Sequence, residues 1–328
     1  MKACIYGAGA IGGWIGAGLA RTPELELSAV ARGDTLQALQ SQGLQIDQDG
    51  QTLRLPIRAC ADPAELGPQD LVVIAVKAPA LAAVARQIGP LIGPDTLVLT
   101  AMNGVPWWFL HGFGGALAGQ RLSAVDPEGA IAAAIPPSQV IGCVVHASCS
   151  LNGPGHVKHH FGNGLIIGEP AGGLTPRVQA LQARLVQAGF NATVSPQIQK
   201  DTWYKLWGNM TVNPVSALTG ATTDLILGDE LVRHFISAVM LEAREIGARI
   251  GIPIDQQPED RHQVTLKLGA FKTSMLQDVE AGRSVELDAL VGVVRELGQR
   301  CGVATPFTDA LLGLARLQAQ VRGLYPRP

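Results

Sequence analysis

Lys205, Asn209 and Asn213 recur at i, i+4 and i+8, a spacing that stacks one cation and two amides along one face of a helix for two turns. Trp203, Leu206, Trp207, Met210 and Val212 supply the apolar side that would anchor such a helix in a core. A row of this kind can orient a carboxylate or hydroxyl and supply one proton. The same spacing also suits capping or hydrogen bonding between domains. A second constellation, Gly7-Ala8-Gly9-Ala10-Ile11-Gly12, follows a predicted strand and opens a predicted helix. Glycines there permit a tight turn, close approach of a pyrophosphate and close helix–strand packing, and the helix N-terminus offers free N–H groups to an anion. The bland alternative is a glycine turn kept for packing alone.

Three further residues fall where an open α/β sheet places its ligand crevice, at strand C-termini. Arg32 ends the second strand. A binder of the unphosphorylated dinucleotide usually carries an acid there for the ribose hydroxyls. A cation suits a 2′-phosphate instead, so Arg32 predicts NADPH as cofactor. Asp34 is the competing ribose ligand, but its place after the turn reads as a helix N-cap. Lys77 follows the apolar run Leu71–Val76, and Asn103-Gly104 follows Thr96–Thr100. Their ordinary readings are a solvated cation at a strand end and a simple turn.

The elements that must position these residues divide the chain in two. Strands at 2–6, 27–31, 71–76 and 96–100 alternate with helical stretches at 14–21, 33–42 and 79–88, which predicts a parallel, doubly wound sheet. Residues 107–139, rich in glycine, alanine and proline, read as an extended connection. A strand at 140–148, a turn at Gly153-Pro154-Gly155, a hairpin joined around Asn163-Gly164, a helix at 175–188 and a strand at 192–195 complete the first domain. Beyond Gln197 strand signals vanish, and helices are predicted at 201–212, 231–250, 263–281, 287–301 and 308–321. The expected fold class is α/β: a Rossmann dinucleotide-binding domain over 1–195, then an all-helical substrate and catalytic domain over 196–328.

Bulk properties narrow the partners. The 328 residues suffice for two cored domains. A net charge of −2 offers no basic field for nucleic acid or anionic membrane. No apolar run approaches the roughly 18 residues of a membrane span. Five scattered cysteines without a C-x-x-C argue against a disulfide framework and, with no leader-like start, predict a cytoplasmic protein. No metal is expected. His156, His159 and His160 lack an acidic or cysteine partner at ligand spacing, and His159 would point away from the other two on a strand. Cys4 reads as an inert core thiol, and Trp107-Trp108 as packing or as cover for an interdomain or subunit surface.

Taken together, Gly7–Gly12, Lys77, Asn103-Gly104, Lys205-x-x-x-Asn209-x-x-x-Asn213-Pro214, Thr273-Ser274-Met275-Leu276-Gln277-Asp278 and Glu286 resemble the ketopantoate reductase (2-dehydropantoate 2-reductase) family over nearly the whole chain. The resemblance implies a Rossmann domain joined to a helical one, with the active site in the cleft between them, and NADPH-dependent reduction of a 2-keto acid. Lys205 would be the proton donor. Asn209 and Asn213 would bind substrate, and Ser274 its carboxylate or hydroxyl. Glu286 would sit near the cofactor and Lys205, with Lys77 and Asn103 on the nicotinamide side and Ser148 contacting cofactor. The chemistry is coherent: hydride delivery to a ketone builds negative charge on its oxygen, which an ammonium stabilises and protonates.

Two departures bear on the substrate. The stretch between Asn103 and Val140 is longer than in compact family members, and Ser123–Gly129 could serve as a lid, a specificity loop or a surface insertion. Where the family tends to place another substrate amide, this chain has Thr222-Thr223-Asp224. The competing functions are reduction of another branched 2-keto acid, dehydrogenation of another hydroxy acid or opine, and a non-catalytic NADPH-binding sensor. Apolar helical faces are compatible with a homodimer.

Overall fold

The computed structural model describes residues 1–327. Contacts group the chain into two units, 1–102 with 128–201, and 103–127 with 202–328. Among the described residues all ten strands lie in the first unit. It begins with β1 (Lys2–Tyr6), α1 (Ala10–Leu19), β2 (Glu26–Val30), α2 (Gly33–Gln42), β3 (Leu44–Gln48), β4 (Gln51–Leu55) and β5 (Arg58–Cys60). It continues through β6 (Leu71–Ile74), α3 (Leu81–Ala85), β7 (Leu97–Thr100), α4 (Ala130–Ala134), β8 (Val140–Gly153), β9 (His156–Gly168), α5 (Pro176–Gln187) and β10 (Asn191–Val194).

The ten strands form one sheet in the order β4-β3-β9-β8-β7-β6-β1-β2-β5, with β10 also paired to β9. Its heart, β5-β2-β1-β6-β7-β8, is parallel throughout. That is the doubly wound Rossmann order, with its switch point between β1 and β6. Leu71 to Ile74 are at most 1% exposed, because a strand covered on both faces must be apolar at every position. The antiparallel pairs β8·β9 and β3·β4 extend the sheet. β9 carries β3 beside its first half and β10 beside its second.

Several expectations need correction here. No hairpin forms around Asn163-Gly164: β9 runs through both residues, and the reversal is Pro154-Gly155 between β8 and β9. Irregular register near Ser148 and a left-handed Gly162, where a Cβ would meet the His146 carbonyl at 2.5 Å, let the long strand bend without turning. β8 does not end at Ser148 but continues to Gly153. β3, β4 and β5 were not foreseen. Asp49 and Gly50, both at positive φ, form the β3–β4 turn, and this Asp-Gly pair between alternating runs was the available signal. Asp34 is not the N-cap of α2. Arg32 holds that position, with Asp34 exposed in the first turn.

The second unit holds most of α6 (Ile198–Thr219), then α7 (Thr223–Gly228), α8 (Glu230–Arg249), α9 (Pro258–Leu266), α10 (Ser274–Glu280), a π-helical turn at Asp288–Gly292, α11 (Val293–Cys301) and α12 (Pro306–Val321). The helix expected over 263–281 is two helices. The chain breaks at the left-handed Gly269 and restarts at Thr273, whose hydroxyl caps α10 by accepting from the Leu276 amide at 3.2 Å.

The extended connection expected over 107–139 is also divided. Its first part is a wall of the helical core, with Phe109, Leu110 and Leu122 at most 1% exposed. The Ser123 and Ala124 amides donate to the Glu296 carboxylate at 2.8 and 2.7 Å, and Arg300 donates to the Arg121 carbonyl. The 123–129 stretch is therefore tied at its start to Glu296 on α11. Among the described residues no helix is long and apolar enough to cross a membrane.

Candidate functional site

The glycine loop turns at the sheet's switch point. Gly7, at φ +98°, leaves β1, and a Cβ there would lie 2.6 Å from Val76 in the segment that leaves β6. A Cβ on Gly12 would lie 2.1 Å from the Gly7 carbonyl, so only glycine lets α1 start this close to β1. A Cβ on Gly9, in contrast, would meet nothing within 4 Å. The open middle position over the first turn of α1, with tight glycines on either side, fits a pyrophosphate approaching the N-terminal amides of Ala8, Ala10 and Ile11.

Arg32 extends from the end of β2, exposed, and donates to Gln87 Oε1 at 2.5 Å, the same oxygen that accepts from Tyr6 at 3.3 Å. A surface guanidinium held by one neutral partner retains donors for an anion. Lys77, partly buried, follows the end of β6 in extended backbone before a short 3₁₀ turn. Ser148 lies within β8 opposite Phe161, partly buried. Cys4 is fully buried in β1, and burial pushes its thiol up to about 12, which keeps it inert.

In the helical unit, α6 is fixed in rotation by its tryptophans. Trp207 donates to the Met240 carbonyl at 2.7 Å and Trp203 to the Ala243 carbonyl at 3.3 Å, both on α8. With that face locked into the core, Lys205 and Asn209 are left partly buried and Asn213 is 7% exposed. Asn213 Nδ2 reaches Ser274 Oγ at 3.5 Å, the outer limit of a hydrogen bond, which brings the first residue of α10 to the amide end of the row. Pro214 sits inside α6, where it supplies no N–H to the preceding turn.

Asn103 and Glu286 also belong to this unit. Glu286 is 5% exposed just before the π-helical turn. Asn103 precedes the left-handed Gly104, where a Cβ would lie 2.5 Å from the Ala289 carbonyl, and Val105 N donates to that carbonyl at 2.9 Å. Asn103 is thus held against the turn that follows Glu286. Sequence reasoning missed this stitch; the only available signal was the Asn-Gly pair, which by itself reads as an ordinary turn. Thr222-Thr223-Asp224 is structural: Thr223, 2% exposed, donates to the Gly269 carbonyl at 2.6 Å, and Thr222 donates to Asp224.

The three histidines each engage a different neighbour. His156 Nε2 lies 2.9 Å from Asp47, His159 stacks on Trp14 with centroids 5.9 Å apart, and His160 Nε2 meets Ser150 Oγ at 2.8 Å. No group of three potential metal ligands occurs among the described residues.

Two family profiles match the chain. Ketopantoate reductase PanE/ApbA covers residues 3–172 and its C-terminal domain covers 197–319. A 2-dehydropantoate 2-reductase from Mesorhizobium japonicum is 46% identical over 325 residues, spanning 99% of this chain and 100% of the relative. The crystal structure of a Ralstonia solanacearum MolK2 protein is 58% identical, with a TM-score of 0.95 and 99% of both chains covered. That of 2-dehydropantoate 2-reductase from Geobacter metallireducens GS-15 is 28% identical, with a TM-score of 0.85 and 97% and 100% covered. On these matches, spread over both units, the chain belongs to the ketopantoate reductase family.

Proposed function

We propose that the protein is a 2-dehydropantoate 2-reductase that uses NADPH. The observation that carries this reading is the row Lys205, Asn209 and Asn213 on α6, joined at its end by Ser274 from a segment 61 residues away. The name borne by the 46% identical relative supports it. A bound nicotinamide dinucleotide would supply the hydride, held by the Gly7–Gly12 loop with Ala8, Gly9, Ala10 and Ile11 against the pyrophosphate and Arg32 on the 2′-phosphate. Lys77, Asn103, Ser148 and Glu286 line the cofactor's position in this reading. Lys205 stabilises the negative charge that develops on the substrate carbonyl oxygen and then protonates it. Asn209, Asn213 and Ser274 orient the keto acid through neutral donors, and Asn103 contributes a further amide.

Five cysteines with no disulfide among the described residues support a cytoplasmic location, where thiols stay reduced. On α12, Leu314, Leu317 and Val321 are 60–71% exposed along one face, which supports a homodimer.

The test is a panel of 2-keto acids, from pyruvate through ketopantoate to larger branched acids, assayed by loss of nicotinamide absorbance with NADPH and with NADH. Highest kcat/KM for ketopantoate with NADPH is expected. Tight NADPH binding with no oxidation on any acid would overturn the reading and leave a sensor. Preference for another acid would move the substrate but keep the reaction.

A further inference from the structure

Arg261, on α9, lies across the flank of α6 that borders the Lys205 row. Its guanidinium sits over the Tyr204 ring, 5.7 Å from the centroid, and against Gly208. A Cβ at 208 would stand 2.8 Å from Nε and 2.9 Å from Nη2, so glycine in mid-helix is what admits the group. Tyr204 and Gly208 are the residues immediately before Lys205 and Asn209. They form a parallel row one position behind, turned about 100° around the helix. The Tyr204 hydroxyl donates to Gln256 at 2.7 Å, which fixes the ring under the guanidinium.

The guanidinium forms no hydrogen bond or ion pair among the described residues, and its Nε is buried without a partner. Partial burial pulls its pKa down, with only the neighbouring Tyr204 opposing the shift. A buried charge in this condition is costly unless something pairs with it. Glycine in the interior of a helix is also less favourable than alanine, because it loses more backbone entropy on folding. Two unfavourable local choices therefore meet at one point beside Lys205, which is where function, not stability, sets the residue types.

The geometry points to Arg261 as a substrate-binding residue whose terminal nitrogens take the C1 carboxylate of the 2-keto acid. This rests on the reductase reading above. The planar fork of a guanidinium matches a carboxylate in two parallel hydrogen bonds. In a 2-keto acid the carboxylate is bonded directly to the reacting carbonyl, so a clamp one row from Lys205 sets which way that carbonyl faces. The arrangement selects acids over neutral ketones and esters.

The probe pair is 3-methyl-2-oxobutanoate and its methyl ester, which differ in the C1 charge. Each is measured on the NADPH-loaded full chain by calorimetric binding and by turnover. Arg261→Gln is expected to weaken binding and raise KM for the acid by roughly 10- to 100-fold, with a much smaller change in kcat. Values for the ester should stay within about twofold. Arg261→Lys should restore part of the acid preference, and Gly208→Ala, which favours the helix but displaces the guanidinium, should reproduce the Gln result. Equal losses on acid and ester, no loss on either, or a loss of NADPH affinity in place of acid affinity would overturn the assignment. Absence of turnover in the unsubstituted protein would count against the reductase reading alone, because the binding arm reads Arg261 independently.

Discussion

In the proposed reading the two units carry chemistry in opposite ways. In the first, the glycine loop works through its backbone: Gly7 and Gly12 close down on β1 and β6 while Gly9 stays open, and six consecutive residues contain the whole device. In the second, no short segment is sufficient. Lys205, Asn209 and Asn213 lie on α6, Ser274 opens α10, Glu286 precedes a π-helical turn, and Asn103 arrives from the segment that follows β7. The difference teaches that a site made of backbone can be short in sequence. A site made of side chains must be gathered, and its precision depends on the packing that fixes each helix.

The sharpest way to break this comparison is at Lys205. Lys205→Ala should lower kcat by about 10²- to 10⁴-fold while calorimetric binding of dinucleotide survives. Near-normal turnover would remove chemistry from the helical unit. Arg32→Ala should weaken NADPH binding by roughly 10- to 100-fold, the worth of a charged hydrogen bond, and leave NADH almost unchanged. An equal loss of both would make Arg32 a structural residue. Gly12→Ala adds a methyl group 2.1 Å from the Gly7 carbonyl. The strain should cost about 1–3 kcal/mol, read as a lower Tm together with weaker dinucleotide binding.

The smallest effect sharpens how the first unit is held. Glu169 is 3% exposed and receives hydrogen bonds from Thr175 and Arg177. Burial alone would raise its pKa, but the Arg177 and Thr175 hydrogen bonds outweigh it and hold the carboxyl below the usual range. A carboxylate held low in the folded state stabilises above its unfolded pKa, and that contribution disappears as pH falls through the folded value. Glu169→Gln should therefore reduce Tm at pH 7, with the gap to the unsubstituted protein closing as pH drops below about 4. A gap that persists unchanged in acid would mean that the loss is one of packing.

Legibility followed the range of the interactions. The alternation of strands and helices, the glycine loop and the α6 row could be read directly, since each is set by neighbours within two turns or one strand–helix unit. The Asp49-Gly50 hairpin is equally local, although its strands are partly polar. Other features were hidden for a physical reason. Nothing near residue 163 says that β9 continues, because the long partner β8 and the bulge at Gly162 decide it. Nothing near 109 says that Phe109 walls the helical core, because its partner Trp203 lies about a hundred residues away.

By itself the sequence determined the class of each half and the chemical inventory: a glycine turn between the first strand and helix, a cation at the end of the second strand, and a lysine with two amides in register. Periodicity and glycine stereochemistry act over a few residues and leave their mark on any short window. Tertiary structure alone decided which residues meet: Ser274 with Asn213, Gly104 with Ala289, and Arg261 with the gap left by Gly208. Those contacts come from packing between distant segments, where one helix's rotation, fixed by two indole hydrogen bonds, sets the surroundings of every side chain along it.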